Sequence, residues 1–377
     1  MKKVLLTVLY TMICITVFSQ TENNKHTSLQ FTFVYPLGTN GIESFAYDNT
    51  VSINILIGIS RSERVFTFGG LANIICHDAT GLQFAGLHNY IGNNGKGFQF
   101  AGLANYTGKN YTGSQFAGLM NYTKDDYKGV QFAGLANYAG KNYDGFQFAG
   151  LTNYTKGDYK GTQFAGLANY AGGNYNGFRL AGLINISKNI SGSQISGLIN
   201  IAQKVKGLQF TGLINIADSS DYSVALINLI KNGEKSVALT YDETGSMIVS
   251  FRSGGKLTYG IAGFGYNHQA NRKLFLTEGG LGIHINCSPR FRINNELKIE
   301  NFMSSKYNTF KSGYSLITDY KLLAHLSVFA GASVNYMYSN DINATKLFPH
   351  NSLWKNFDSS KLQQAFVGYQ FGIQYIF

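Results

Sequence analysis

A sixteen-residue motif repeats from Val65 to Ala217, and it constrains the fold more than any other feature of the chain. The copies that begin at residues 97, 113, 129, 145 and 161 share a Gly, a Gln, a Phe, an Ala-Gly-Leu triplet and an Asn at fixed places. In the copies that begin at residues 177 and 192 the period shortens to fifteen. Fixed internal periods mark repeat architectures, so we expect about ten stacked copies of one unit over residues 65–230.

Columns of identical side chains follow from this period if each copy forms one coil of a β-solenoid. Neighbouring coils would lie about 4.8 Å apart, so that equivalent side chains stack. We expect the phenylalanine and leucine columns to be buried, and the asparagine amides to bond along the stack. These columns contain Phe84, Phe100, Phe116, Phe132, Phe148 and Phe164, Leu103 and Leu119, and Asn89, Asn105, Asn121, Asn137, Asn153 and Asn169.

A second architecture gives a similar period, namely one large up-and-down transmembrane β-barrel in which each copy is a strand and a turn. The segment GFQFAGLANY has the length of a membrane-spanning strand, and the loops alternate between two types over 32 residues. Neither face of that strand is continuously apolar, however, as a lipid-facing surface should be. The pattern therefore favours the all-β solenoid, and a single porin-like barrel remains the alternative.

The region 231–377 has a different residue pattern, with longer segments in which apolar and polar residues alternate. Such alternation indicates strands with one apolar and one polar face, and predicts an antiparallel β-meander or barrel. Residues 21–64 contain two further strand candidates ahead of the repeats and are expected to cap them. The C-terminal strand candidates are 235–243, 246–252, 256–267, 273–286, 290–301, 308–322, 325–338 and 364–377.

The first twenty residues have the organisation of a secretory signal peptide. Two lysines precede an apolar run from Val4 to Phe18, and small or polar residues follow. We therefore expect export from the cytoplasm. Cys76 and Cys287 would then enter an oxidising compartment, where they form one disulfide or stay as two separate thiols.

The last strand candidate, AFVGYQFGIQYIF, alternates strictly and ends on a terminal aromatic residue. It resembles the closing strand of Gram-negative outer-membrane β-barrel proteins. That resemblance implies that Phe371, Ile373, Tyr375 and Phe377 belong to an outer-membrane sorting signal. It also implies that outer-membrane lipid and the barrel-insertion machinery are partners, with the protein in the outer membrane or at the cell surface.

The repeats, in turn, resemble the surface-repeat family of spirochaetes and Bacteroidota. The shared pattern is Gly, Gln, an apolar residue, Gly-Leu, and Asn followed by an apolar residue; in one copy Gly97, Gln99, Phe100 and Asn105 match it. The family brings no established catalytic activity, so the resemblance implies a surface location and no reaction.

Residues that carry catalysis or bind cofactors and metals are not clustered in the sequence. The seven histidines are scattered, and His77-Asp78 is more simply a surface turn than a metal site. The net charge of +11 is not concentrated in clusters that would follow a nucleic-acid backbone. We therefore expect no enzyme activity, no cofactor, no metal and no nucleic-acid partner.

One recurring position in the repeat loops suggests binding. If exposed, its stacked tyrosines would form a strip for surface glycans or another envelope protein; alternatively, they complete the solenoid core at its second corner. The sequence thus predicts a non-enzymatic outer-membrane or cell-surface repeat protein that serves as a structural or adhesive scaffold. The alternative is a porin-like transport protein. The tyrosines are Tyr111, Tyr127, Tyr143, Tyr159 and Tyr175.

Overall fold

The protein is nearly all β-structure, with about 70% of the described residues in strands and 3% in helices. The predicted signal peptide, residues 1–20, lies outside the described residues. Contacts divide the chain into two compact units, which meet in sequence between Gly182 and Leu183. No described helix is long and apolar enough to cross a membrane. The computed structural model describes residues 24–255, 257–270, 274–304, 307–341, 344–358 and 360–377.

The first unit consists of solenoid coils, each of which contributes one long and one short strand. Long strands pair in parallel with long strands and short with short, which gives two facing sheets. A 3₁₀ helix, Gly41–Ala46, lies in the N-terminal cap. The strands are β1 (Lys25–Val34), β2 (Leu37–Gly38), β3 (Tyr47–Asn54), β4 (Ile57–Ser60), β5 (Ser62–Gly69), β6 (Ala72–Ile75), β7 (Ala79–Ala85), β8 (His88–Ile91), β9 (Gly95–Ala101), β10 (Ala104–Thr107), β11 (Tyr111–Ala117), β12 (Met120–Thr123), β13 (Tyr127–Ala133), β14 (Ala136–Ala139), β15 (Tyr143–Ala149), β16 (Thr152–Thr155), β17 (Tyr159–Ala165), β18 (Ala168–Ala171) and β19 (Tyr175–Ala181).

Equivalent residues of successive coils pair directly, as the solenoid prediction requires. Asn105 is in register with Asn121, and Asn121 with Asn137. The first glycine of the motif permits this close stacking: Gly145 has φ 140°, and a Cβ on it would lie 1.9 Å from the carbonyl oxygen of Gly129. The solenoid prediction is confirmed, and the alternative of one large barrel built from the repeats is wrong.

The second unit begins with further coils and continues into a barrel. A second 3₁₀ helix, Ala344–Leu347, lies in the connection before the last two strands. The coil strands are β20 (Ile184–Ile186), β21 (Asn189–Ser196), β22 (Ile199–Ile201), β23 (Lys204–Thr211), β24 (Ile214–Ala217), β25 (Ser219–Val224) and β26 (Ile227–Ile230). The remaining strands are β27 (Lys235–Asp242), β28 (Ser246–Gly254), β29 (Thr258–Asn267), β30 (Leu274–Asn286), β31 (Phe291–Phe302), β32 (Thr309–Lys321), β33 (Leu326–Ser339), β34 (Trp354–Phe357) and β35 (Leu362–Ile376).

Eight of these strands close an antiparallel barrel. Each pairs with its neighbour in the sequence, and β35 pairs with β27, for example through Ile373 and Leu239. The short strand β34 adds a hairpin to the beginning of β35. The eight predicted C-terminal strands are confirmed to within a few residues at each end, and the open question between meander and barrel is resolved as a closed barrel.

The prediction of buried phenylalanine and leucine columns is wrong. Leu103 and Leu119 are each 43% exposed and Phe148 is 46% exposed, whereas the glutamine beside each phenylalanine, such as Gln147, is fully buried. Successive residues of a strand point to opposite faces, so burial of the glutamine column turns the phenylalanine column outward. The phenylalanines still stack, with ring centroids 4.8 Å apart for Phe100 and Phe116, but they do so on the outside.

Candidate functional site

The outer wall of the barrel is apolar. In every barrel strand one set of alternate side chains points outward, and most of these are large hydrophobic residues with about half of their surface exposed; Val249 is 54% exposed and Leu297 61%. Sheets of water-soluble proteins expose their polar face instead. The outward residues include Val237, Leu239, Met247, Val249, Phe264, Phe275, Leu281, Ile283, Ile285, Leu297, Ile299, Leu316, Val334, Val367 and Tyr369.

The barrel lumen is filled with paired charges. Arg252 lies 3.3 Å from Glu296, whose carboxylate also accepts a 2.7 Å bond from the Tyr259 hydroxyl. Lys298 pairs with Glu278 at 3.1 Å, on a neighbouring strand. Further pairs join Arg292 to Asp319 and Glu234, and Lys311 to Asp242, Glu243 and Glu300. An eight-stranded barrel has room for a side-chain filling of this kind and for little else.

The predicted sorting residues belong to the strand that closes the barrel. Phe371, Ile373 and Tyr375 point outward with half of their surface exposed, and Phe377 follows the end of β35. Gln370, just before them, and Gln374, between Ile373 and Tyr375, point into the lumen, where Gln374 donates a 3.0 Å bond to Asp319. Strict alternation in this segment thus separates the outer wall from the lumen; the sorting role itself stays a prediction.

The two ends of the barrel differ in the length of their connections. At one end, which we call the coil end, the chain enters at Lys235, the strands are joined by segments 255–257, 287–290 and 322–325, and the chain finishes at Phe377. At the other end, the loop end, the connections are 243–245, 268–273, 303–308 and 340–361. The longest connections therefore lie at the loop end.

The last coil of the second unit packs against the outer wall near the coil end. The Asn228 side chain accepts a 3.0 Å bond from Asn215 of the preceding coil and donates a 3.2 Å bond to the backbone carbonyl of Ser253 in the barrel. The Thr258 hydroxyl of the barrel accepts a 3.2 Å bond from the backbone N–H of Ser223 in the coil and donates a 2.7 Å bond to the carbonyl of Ser223. Strands β28 and β29 of the barrel thus cover the open edge of the last coil. Covering of this kind prevents an exposed strand edge from pairing with other chains.

The interior of the coils is polar but uncharged at most positions. Asn105, Asn121 and Asn137 are almost fully buried, and each donates bonds of 2.7–2.9 Å to the next asparagine and to a backbone carbonyl of the next coil. The glutamines form a second column, in which Gln131 donates a 2.8 Å bond to Gln115. The predicted asparagine ladder is confirmed. The glutamine ladder was not predicted, although the sequence has glutamine at the same place in most copies of the repeat.

The tyrosines proposed as a surface strip are buried, so the prediction of an exposed binding strip is wrong and the alternative of a core position is right. Tyr143 is 2% exposed, stacks on Tyr127 at 4.8 Å, and donates a 2.7 Å bond to the carbonyl of Phe146. Burial raises the pKa of the Tyr143 phenol well above its ordinary value. The five tyrosines therefore fill the second corner of the coils and present no ring to a partner: Tyr111, Tyr127, Tyr143, Tyr159 and Tyr175.

The alternating loops of the repeat have an electrostatic explanation. Asp126 follows Asn110 and precedes Asn142 along the stack, and each side chain accepts a bond from the backbone N–H of the next coil. On the adjacent strand Lys128, Asp144 and Lys160 are in register. Like charges in neighbouring coils would repel across about 4.8 Å, so alternation places them two coils apart. The 32-residue period is a feature of this charged edge and not of a barrel.

The outward surface of the coils is divided into two edges. We call the charged one the polar edge; within the repeats of the first unit it holds the lysines and aspartates of the loops, such as Lys109 and Asp126. The apolar edge comprises four columns: the phenylalanines, the leucines, the residue after each leucine, and the outer tyrosines. From Phe68 to Ile216 these columns contain no Lys, Arg, Asp or Glu. The outer tyrosines stack with ring centroids 4.6–5.1 Å apart and are Tyr90, Tyr106, Tyr122, Tyr138, Tyr154 and Tyr170.

The structure also bears on the expectations about metals and cysteines. Over the described residues, no three His, Cys, Asp or Glu side chains come together as a metal site. Cys76 is buried and Cys287 is exposed, both as thiols.

Comparisons with solved structures find partial matches to designed proteins. The chain is similar to the structure described as "De novo design of transmembrane beta-barrels", with 17% identity over 39% of this chain and 96% of that chain and a TM-score of 0.23. It is also similar to the solution NMR structure of de novo designed TMB2.3, with 16% identity over 38% of this chain and 92% of that chain and a TM-score of 0.22. No family model matches the chain, and no curated protein does.

Proposed function

We propose that this protein is a non-enzymatic scaffold of a Gram-negative outer membrane, anchored there by its barrel. The observation that carries the proposal is the inverted polarity of the barrel, with paired charges inside and a continuous apolar wall outside. In water such a barrel would expose its apolar wall, whereas in a bilayer the wall contacts lipid and the charges are shielded. Outer-membrane lipid and the barrel-insertion machinery are the partners that this role requires.

A scaffold is favoured over a pore because the lumen is occupied. Buried side chains cross the lumen between non-adjacent strands: Arg252 of β28 pairs with Glu296 of β31, and Lys298 of β31 donates a 2.6 Å bond to Gln370 of β35. Water-filled channels occur in barrels with about twice as many strands. The porin-like alternative would need the repeats to be membrane strands, and they are solenoid coils.

The orientation follows from the connections between barrel strands. Outer-membrane barrels place their short turns in the periplasm and their longer loops outside the cell. We therefore assign the coil end to the periplasm and the loop end, with connection 340–361, to the exterior. The coils of the second unit then lie on the periplasmic side, which supports a role in organising the envelope rather than in adhesion to other cells.

Two measurements on the full-length chain test this function. The chain, expressed in a Gram-negative host with its own leader, should fractionate with the outer membrane and shift its mobility on SDS gels after heating, as folded barrels do. A variant with Val249→Asp and Val367→Asp on the outer wall should lose membrane integration. A matched variant, Lys128→Asp on the polar edge, should not. Recovery of the unaltered chain as a soluble periplasmic protein would refute the proposal.

Conductance and accessibility measurements separate the remaining alternatives. In planar bilayers the protein should pass no steady ion current; a stable open conductance would favour transport. A cysteine-reactive reagent that does not cross membranes should label a Lys355→Cys variant in intact cells and should leave a Lys206→Cys variant unlabelled, in a Cys287→Ser background. Labelling of Lys206→Cys instead would place the coils of the second unit outside the cell and favour adhesion.

A further inference from the structure

We infer that the apolar edge of the coils in the second unit is a second lipid-binding surface, which lies against the acyl chains of the same membrane that the barrel spans. The inference rests on the proposed membrane role of the barrel and adds a surface that this role does not require. It assigns the coils a place at the bilayer, with their polar edge turned toward the aqueous side.

The first support is the extent of the apolar edge and the absence of charged residues from its columns. In the coils of the second unit, Leu183, Leu198 and Leu213 of the leucine column are 39%, 39% and 45% exposed. Phe210 of the phenylalanine column is 42% exposed. Apolar surfaces of this extent on soluble proteins mark binding to a membrane or to another protein. Charged residues are confined to the other edge, as on amphipathic elements that lie in a membrane interface.

The second support is the geometry within the second unit. The last coil is bonded to outward-facing Ser253 and Thr258, so the coils stack away from the outer wall of the barrel instead of along its lumen. Phe210 of the apolar edge and Leu226 of the last coil line a single groove with Leu281 and Ile299 of the outer wall. Lipid that surrounds the barrel must fill this groove, and it then contacts the apolar edge directly.

The third support is the kind of partner that the edge suits. Its columns repeat the same side chains at strand spacing, without a pocket or a protruding anchor that would define one bound position for a protein. A fluid acyl layer needs no shape complementarity, and it continues without a break from the wall of the barrel.

Depth-sensitive quenching on the full-length protein tests the inference. Single cysteines are introduced in a Cys287→Ser background, labelled with a small fluorophore, and reconstituted in phosphatidylcholine–phosphatidylglycerol vesicles with or without brominated acyl chains. The edge is probed by Leu213→Cys and Leu198→Cys, the polar side of the same coils by Lys206→Cys and Lys188→Cys, and the barrel wall by Val249→Cys. Far-UV circular dichroism establishes that each variant is folded.

We expect quenching at Leu213 and Leu198 to be comparable to that at Val249 and several-fold greater than at Lys206 and Lys188. Quenching at Val249 alone overturns the inference and leaves the barrel function intact. Absence of quenching at all five sites refutes the barrel function as well. Efficient disulfide formation between Leu198→Cys chains, without quenching there, also overturns the inference, because the edge is then covered by a second copy of the chain.

Discussion

The coils and the barrel both place polar groups inside and apolar groups outside, but they do so with different chemistry. The coil interior is built from neutral amides, in which Asn121 bonds to an identical residue of the next coil. The barrel interior is built from charges, in which Arg252 depends on the particular partner Glu296. A repeated amide needs only a copy of itself, whereas a buried charge needs a specific opposite charge.

Because of this difference, a single substitution should affect the stability of the two regions differently. A solenoid is stabilised by nearest-neighbour interfaces, so the loss of one amide is felt mainly by the coils on either side. In the lumen, Glu296 is contacted by Arg252, Tyr259 and Lys298 together, so the loss of one carboxylate leaves several groups unsatisfied. Single substitutions should therefore cost more in the barrel than in the coils.

The largest effect is expected from Glu296→Ala. Removing one partner of a buried ion pair leaves an uncompensated charge, and we expect the free energy of unfolding of the barrel to fall by about 3–5 kcal/mol. Urea unfolding in detergent micelles, followed by the fluorescence of Trp354, the one tryptophan of the chain, measures it. Leu297→Ala, at the next residue but on the outer wall, is the control and should change little. Equal losses in the two variants would contradict the role given to the lumen charges.

A smaller effect is expected from Asn137→Ala in the coils. The change removes the acceptor of the Asn121 bond and the donors to Asn153 and Phe148, and it should cost about 2–3 kcal/mol for the buried groups left without partners. Urea unfolding followed by far-UV circular dichroism measures it. Lys128→Ala, on the polar edge, should be nearly neutral. A loss larger than that of Glu296→Ala would reverse the ranking of the two regions.

The sequence was sufficient to predict the solenoid, the asparagine ladder and the barrel strands, because each depends on period alone. It did not lead to the correct side of the coil strands, although a signal was present. The position two residues before each phenylalanine varies between copies, as Ser114, Val130 and Phe146. Residues two apart share a face, so this variable position should have marked the phenylalanine face as outward.

The polarity of the barrel could not be predicted from any single strand. The segment Phe291–Phe302 alternates apolar and polar residues equally well for a soluble sandwich and for a membrane barrel. Only closure of the sheet, through pairing of β27 with β35, decides which face is enclosed. The interior charges Arg292, Lys298 and Glu300 then become lumen groups, whereas in a sandwich they would have been in water.

A third, still smaller effect distinguishes the two tyrosine columns. Tyr143→Phe removes a hydroxyl that donates to Phe146 and Gly129 inside the coil, and should cost about 1 kcal/mol. Tyr138→Phe alters a half-buried tyrosine of the outer stack, where the ring contacts with Tyr122 and Tyr154 remain, and should cost less. The difference between their urea midpoints is the measurement. A larger loss for Tyr138→Phe would contradict the assignment of the Tyr143 column to the core and of the Tyr138 column to the surface.

The last effect depends on pH and concerns Glu63, a buried carboxyl of the coil interior, to which Ser52 and Asn49 donate bonds. Burial raises the pKa of Glu63 above its ordinary value of 4.5. Above pH 4.5 the unfolded chain therefore releases this proton before the folded chain does, and the free energy of unfolding falls as pH rises, until the folded-state pKa is passed. The slope is at most about 1.4 kcal/mol per pH unit for one proton.

Glu63→Gln should remove this slope, because its amide oxygen accepts the same two bonds without a charge. We expect the variant and the unaltered chain to unfold at similar urea concentrations below pH 4, and the variant to become the more stable of the two as pH increases toward 7. Asp48, which pairs with Arg61 at 2.7 Å at the border of the same cap, supplies the contrast: Asp48→Asn should destabilise at neutral pH. If Glu63→Gln destabilised at neutral pH as well, the cap would use its buried carboxylate as the barrel uses Glu296, and the coils would lose their distinction as the region stabilised by neutral groups.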